Sequence, residues 1–212
     1  MRTAGFLLVV PLLVQAQSLE LGIRGGVPVS ESFIVNTEFH IGFGETARSA
    51  TRRYIVGPML RVNLPHRFGI EADALYHRLR FDNLTEHADV FNDARIIAHS
   101  WEIPVTASYR VAHGLEVLAG PAFRTSSENS RSATETFPGQ TFPIPATGLN
   151  STISRRSSRG ITAGVGISLR TGPIHLHPEA RYTRWGTDAQ EDPFLYSNPN
   201  QLELTLGVTF GR

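Results

Sequence analysis

The sequence predicts an all-β chain, an eight-stranded antiparallel up-and-down transmembrane β-barrel. Three observations lead there. Eight segments alternate apolar and polar residues with a period of two, the mark of a strand with one greasy and one polar face. The connections between them alternate long and short. An apolar stretch at the N-terminus has the form of an export signal.

The last strand shows the pattern best: Leu202, Leu204, Leu206, Val208 and Phe210 fall in one phase, and Glu203, Thr205, Gly207 and Thr209 in the other. From the N-terminal end, residues 19–25 form the first strand, with Leu19, Leu21 and Ile23 opposed to Glu20 and Arg24. Residues 54–62 set Tyr54, Val56, Leu60 and Val62 against Arg53, Gly57 and Arg61. Residues 68–79 set Phe68, Ile70, Ala72, Ala74 and Tyr76 against Glu71, Asp73 and His77. Residues 101–111 set Trp101, Ile103, Val105, Ala107 and Tyr109 against Glu102, Thr106, Ser108 and Arg110. Residues 115–123, 161–169 and 174–182 supply the fifth, sixth and seventh strands. Each register spans about 9–11 residues, enough to cross a bilayer when tilted.

Long connections are expected at residues 27–52, 80–100, 124–160 and 183–201, and short ones at 63–67, 112–114 and 170–173. In outer-membrane barrels short turns face the periplasm and long loops face outside. An even strand number then leaves both termini in the periplasm. Residues 1–16 read as a signal peptide: Arg2 precedes an apolar core at 6–14, and cleavage is expected after Ala16. That core is too short for a spanning helix, which needs ~20 residues. Residues 17–212 are then the barrel domain.

The chain carries 20 basic against 19 acidic residues, so no nucleic-acid partner is expected. Every base is Arg and none is Lys. Arg forms forked carboxylate pairs and is weakly hydrated, which suits a crowded polar interior. With no Cys there is no disulfide framework or thiol nucleophile.

Alternation does not fix which face is outside. A soluble lipocalin-like ligand-binding barrel also alternates, with the greasy face inward. Three features favour greasy side out. Threading the strands gathers Tyr54, Tyr76, Trp101, Phe123 and Tyr182 at the long-loop end, and Phe68, Tyr109 and Phe210 at the short-turn end, as two aromatic girdles. The polar phase is rich in glycine, which suits a narrow lumen. It also carries charge of both signs, with Arg61, Glu71, Asp73, Glu102, Glu179 and Arg181 expected to form a lumen ion-pair network. Pro58, Pro104, Pro121 and Pro178 fall inside strands, so each must sit at a bulge, cost a ladder bond or mark a strand end drawn too generously.

The stretches Trp101-Glu-Ile-Pro-Val105, Gly114-Leu-Glu-Val-Leu-Ala-Gly-Pro121 and His177-Pro-Glu-Ala-Arg-Tyr-Thr-Arg-Trp185, with the terminal strand, resemble bacterial outer-membrane β-barrel proteins of the OmpA-like and PorT-like type. The resemblance implies an eight-stranded barrel in the outer membrane of a Gram-negative bacterium. It implies outer-membrane lipid, lipopolysaccharide and the assembly machinery as partners, and a monomer. No peptidoglycan-binding domain is expected after the barrel. Members have diverse roles, so the resemblance alone names no activity.

Three constellations could carry chemistry. His175, His177 and Glu179 share one strand face, and a His-x-His pair can ligate zinc when a third ligand arrives. A hydrogen-bonded polar ladder is the favoured reading there, so neither metal nor cofactor is expected. A lipid-modifying outer-membrane enzyme would need Ser beside His on the lipid side, but adjacent His99 and Ser100 point to opposite faces. No catalytic residue is therefore assigned. The Ser- and Thr-rich connection at 125–159 closes on Arg155, Arg156 and Arg159, and reads either as a recognition loop holding lipopolysaccharide phosphates or as a solvated loop. The expected function is a non-enzymatic structural or surface-interaction barrel without an open pore, with recognition in the loops at 27–52 and 125–159. A lipid-modifying enzyme and a soluble lipocalin-like barrel remain the alternatives.

Overall fold

The computed structural model describes residues 18–31, 33–35, 38–40, 43–49, 54–87, 90–112, 114–137, 140–144, 157–186 and 195–211. Residues 1–16, expected as a signal peptide, and Arg155 and Arg156 lie outside the described residues.

Eight strands close into a ring. They are β1 (Ser18–Pro28), β2 (Ile55–Asn63), β3 (Phe68–Asp73, continuing after Ala74 as Leu75–His87), β4 (Val90–Ala112), β5 (Leu115–Phe137), β6 (Ser157–Ile167, then Leu169–Thr171), β7 (Ile174–Trp185) and β8 (Asn200–Gly211). Each pairs antiparallel with the next. The ring closes where β8 pairs with β1, from Leu21 opposite Phe210 to Pro28 opposite Glu203. The described residues contain a single helical feature, a 3-10 turn at Pro65–Arg67 between β2 and β3. The β6–β7 turn places Gly172 at its first central position with φ 64°, a conformation glycine adopts without Cβ strain.

Burial alternates along the ring, and it is inverted relative to a soluble barrel. Ile23 and Ile161 are 61% and 69% exposed on the outside, while Arg24 and Arg181 are 0% and 1% exposed within. A barrel surrounded by water would turn its apolar face inward. An apolar exterior around a charged interior suits a hydrocarbon surround, where a closed barrel leaves no backbone group unpaired. The lipocalin-like alternative is set aside on this ground.

The prolines interrupt individual ladder bonds without shifting register. Ala74 N–H donates to Pro58 O at 3.0 Å, but Pro58 has no N–H to return, and β3 breaks at Ala74. The pairs flanking that break, Met59 with Asp73 and Val56 with Tyr76, keep one register. Pro121 acts likewise: pairing of β4 with β5 lapses between Pro104–Ala122 and Ala107–Ala119, then resumes in step. The register shifts of this pair lie elsewhere, between Ile97 and Ala98 and between Arg110 and Ala112.

Two connections expected as loops are largely strand. β4 and β5 each run 23 residues, roughly twice the length that crosses a bilayer. With the end of β3 they rise past the outer girdle as a sheet. Phe43–Ser49 and Glu38–His40 extend it beyond β3, and Gln140–Ile144 extends it beyond β5. A short pair, Leu195–Ser197 with Phe33–Val35, links the first and last long connections. The alternation signal fails there for a physical reason. On the upper hairpin the inward face is no longer charged: Leu79, Ile96 and Ala98 are buried there beside Ser100 and Ser126, so apolar and polar residues no longer separate by phase, as in Ile96-Ile97-Ala98.

Candidate functional site: the lumen and the outer rim

The lumen is built by the inward phase of all eight strands, which places side chains from distant sequence positions at one height. At mid-barrel two guanidinium groups bind three carboxylates. Arg24 contacts Glu179 at 2.5 Å, Glu71 at 2.8 Å and Asp73 at 3.4 Å. Arg181 contacts Glu179 at 2.7 Å, Asp73 at 3.0 Å and Glu71 at 3.1 Å. Toward the short-turn end, Arg61 holds both oxygens of Glu116 at 2.7 Å and reaches Glu71 at 3.6 Å. Toward the long-loop end, Arg124 binds Glu102 at 2.7 Å and Gln201, and lies 3.9 Å over the Trp185 ring. Trp185 donates its indole N–H to Gln201 at 3.0 Å.

All six residues expected in the lumen network, Arg61, Glu71, Asp73, Glu102, Glu179 and Arg181, are buried there. Five of them join the Arg24–Arg61–Arg181 cluster, whereas Glu102 belongs to a separate group with Arg124 and His77. Sequence reasoning left out Arg24, which contacts three of the acids, and Glu20, Glu116, Arg124 and Glu203. Each lies in the inward phase of its strand, so phase alone could have found them. Their partners could not be found that way, because Arg24 and Glu179 are 155 residues apart.

Counting buried carboxylates among the described residues gives seven: Glu20, Glu71, Asp73, Glu102, Glu116, Glu179 and Glu203. Buried guanidinium groups number four: Arg24, Arg61, Arg124 and Arg181. Seven minus four leaves three carboxylates in excess. Three buried histidines accompany them. His77 faces Glu102 at 3.5 Å and Glu203 at 4.0 Å, while His175 and His177 face Glu20 at 2.8 and 3.3 Å. The expected trio is thus split: His175 and His177 stay together, but Glu179 turns to the guanidinium groups and Glu20 takes its place.

No acyl-transfer set forms on the lipid side from His99 and Ser100. His99 hydrogen-bonds the Tyr76 hydroxyl, whereas Ser100 is buried in the lumen and accepts from Ser126 at 3.0 Å.

The aromatic residues lie on the outward phase in two groups. Tyr76 packs against Trp101 with ring centroids 5.4 Å apart at the long-loop end, and Phe68 against Tyr109 at 5.0 Å at the short-turn end. Phe123, Tyr182 and Phe210 are exposed and Tyr54 is half-buried just before β2. In the same outward phase, Arg78 follows Tyr76 by two residues, Arg184 follows Tyr182 by two, and Arg159 pairs with Phe123 across β5 and β6. Higher on the hairpin Asp82 accepts from Arg80 at 2.9 Å and from Arg95 at 3.0 Å. Partial burial pushes the Asp82 carboxyl up, but these two guanidinium groups outweigh it and hold the carboxyl below its usual range.

Residues 15–186 match the family model described as outer membrane protein beta-barrel domain. No curated protein sequence matches the chain. Among solved structures it is similar to Ail, the attachment invasion locus protein of Yersinia pestis, in complex with the heparin analogue sucrose octasulfate, at 11% identity and TM-score 0.38, covering 92% of this chain and 99% of that one. It is also similar to Neisserial surface protein A, at 13% identity and TM-score 0.32, covering 91% and 96%. A third is the outer membrane protease OmpT from Escherichia coli, at 9% identity and TM-score 0.30, covering 92% and 95%.

Proposed function

The chain belongs to the outer membrane protein beta-barrel domain family and resides in the outer membrane, and from this premise we propose that it is a non-enzymatic surface-interaction barrel without an open pore. Its recognition surface is the tall sheet above the outer girdle, and its anchor is the lipopolysaccharide around it. The observation that carries this reading is the height of β4 and β5, 23 residues each. Strands of that length exceed any need of membrane crossing and project an ordered surface outward. The sheet ends in an edge at Gln140–Ile144, with Phe137 and Phe142 exposed beside it. Among the described residues nothing pairs with the far side of this strand, and such an edge flanked by apolar side chains offers backbone hydrogen bonds and side-chain grip to an extended partner.

Outward-facing Arg78, Arg159 and Arg184 lie at the level where outer-leaflet phosphates begin. Guanidinium forks match phosphate geometry, which supports lipopolysaccharide as the surrounding lipid. Of the basic cluster expected at the close of the long connection, Arg159 is the described member.

The surface role is tested by shortening the sheet. Residues 80–97 and 127–156 are each replaced by a short turn, leaving the membrane-crossing strands in place. Cells displaying the full and trimmed chains are compared for binding to plates coated with serum proteins. Heat-dependent gel migration of the trimmed barrel should match the full chain, and cell binding should fall to background. Unchanged binding by a correctly assembled trimmed barrel defeats this reading.

Absence of a pore is tested separately. Arg24 and Arg181 fill mid-barrel with no solvent-exposed area to speak of, and an eight-stranded ring leaves room for side chains only. The purified barrel in planar bilayers should give no stable channel of large conductance. Steady large openings would overturn the assignment.

A further inference from the structure

We propose that Glu20, His175 and His177 form a binding site for a single zinc-class divalent cation just inside the periplasmic end of the lumen. The site rests on the topology of ring closure. His175 and His177 stand two apart on β7, so their imidazoles share the inward face. Glu20, on β1, reaches them across β8 over Thr209. One nitrogen from each imidazole and one carboxylate oxygen lie within 4.8 Å of one another. Two imidazoles and a carboxylate are ligands of the hardness that zinc accepts, with a fourth position left for water.

Two further observations point to a cation. The His175 Nε2 atom is buried without a hydrogen-bond partner. The Nδ1 of the same ring meets Glu20 at 2.8 Å, and since buried ring nitrogens are nearly always paired, the second nitrogen lacks a partner that such a site calls for. Glu20 is also unlike most of the other lumen acids. Among the described residues its ionic partners are imidazoles alone, whereas Glu71, Asp73, Glu102, Glu116 and Glu179 each contact a guanidinium group. A divalent cation there adds positive charge to a lumen in which buried carboxylates outnumber buried guanidinium groups.

The surroundings would hold the ligands in place. Thr209 donates to Glu20 at 2.6 Å and Asn63 donates to it at 2.6 Å, fixing the carboxylate as outer-shell hydrogen bonds do. Arg61 Nη1 lies 3.4 Å from His177 Nδ1. With a cation on Nε2, Nδ1 carries the proton and this long contact opens, while Arg61 keeps both bonds to Glu116. The cation has a short way in, since His175 comes three residues after the exposed Gly172 of the β6–β7 turn.

The second His-acid group, His77 with Glu102 and Glu203, is a poorer host. Arg124 already occupies Glu102 at 2.7 Å and would repel a cation at that place.

The test is zinc titration of the folded, detergent-purified barrel after chelator dialysis, with cobalt substitution read by visible absorption. One zinc per chain and cobalt absorption typical of nitrogen and oxygen ligands are expected. His175→Ala, His177→Ala and Glu20→Gln should each weaken zinc binding at least tenfold, and His77→Ala should leave it unchanged. Heat-dependent gel migration verifies folding of each variant. Should a histidine variant not fold, His175→Asn keeps the size and polarity and serves instead. No zinc retained by the parent barrel, unchanged affinity in both His175 and His177 variants, or loss confined to His77→Ala each overturns the site.

Discussion

Replacing Arg181 or Arg24 with alanine is expected to lower the unfolding free energy of the barrel by about 3–5 kcal/mol. Each guanidinium touches Glu71, Asp73 and Glu179, and both are essentially without solvent contact. Removing one leaves three carboxylates sharing one close guanidinium group, with Arg61 at 3.6 Å from Glu71 alone, in a low-dielectric lumen. The loss arises less from a missing attraction than from stranded charge, which water cannot reach to solvate. An exposed rim arginine provides the comparison: Arg159→Ala should change stability by no more than about 0.5 kcal/mol. Denaturant titration of the barrel in lipid vesicles, followed by tryptophan fluorescence, measures all three. Pairing Arg181→Ala with Glu179→Gln should recover part of the loss, because it removes one of the stranded charges. Equal effects of Arg181→Ala and Arg159→Ala would remove the case for a lumen network.

A single methyl group at Gly57 should be comparably harmful. A Cβ built there would lie 1.7 Å from the carbonyl oxygen of Ala74 on the neighbouring strand, and one at Gly120 would lie 2.0 Å from that of Val105. Both glycines precede a proline, Pro58 and Pro121. The two carbonyls are those facing the prolines across the ladder, where no N–H is available to hold them. The same approach occurs at Gly22, whose Cβ would lie 2.0 Å from the Val208 carbonyl oxygen although Ile23 follows it, so the glycine itself is what lets the adjacent backbone lean over. An added methyl meets main chain, which yields only if the strand moves. Gly57→Ala and Gly120→Ala should each cost about 1–3 kcal/mol or more and slow the heat-resistant fold from forming. Gly25 lies on the outward phase, and a Cβ there would find its nearest neighbour at 3.9 Å. Gly25→Ala should therefore assemble like the parent. If all three alanine variants fold alike, the close approach does not constrain the barrel.

These two results also mark where sequence and structure divide. Period-two alternation in segments such as Leu202 to Phe210 was sufficient for strand number, inward phase and ring order, because a barrel wall between lipid and lumen imposes opposite chemistry on successive residues. The tall hairpins were not legible, since buried Leu79, Ile96 and Ala98 make the inward phase apolar there and erase the contrast between phases, and residues 80–100 therefore read as loop. The prolines read as a difficulty, and the structure resolves it by spending single ladder bonds with register intact. Glycine in the polar phase read as room in the lumen. At Gly57 and Gly120 the obstacle is instead a carbonyl of the adjacent strand.

The sequence by itself determined that charges of both signs face inward, that apolar residues face outward and that the strands run up and down. Only the tertiary structure decided which charges meet. Strand order places β1 between β8 and β2, and the small circumference of eight strands brings Arg24 against acids on β3 and β7. The same closure turns Glu179 away from the histidines beside it and delivers Glu20 to them. Partner choice in the lumen depends on shear and on the height at which each side chain crosses the barrel, and neither is recorded in the local pattern of a single strand.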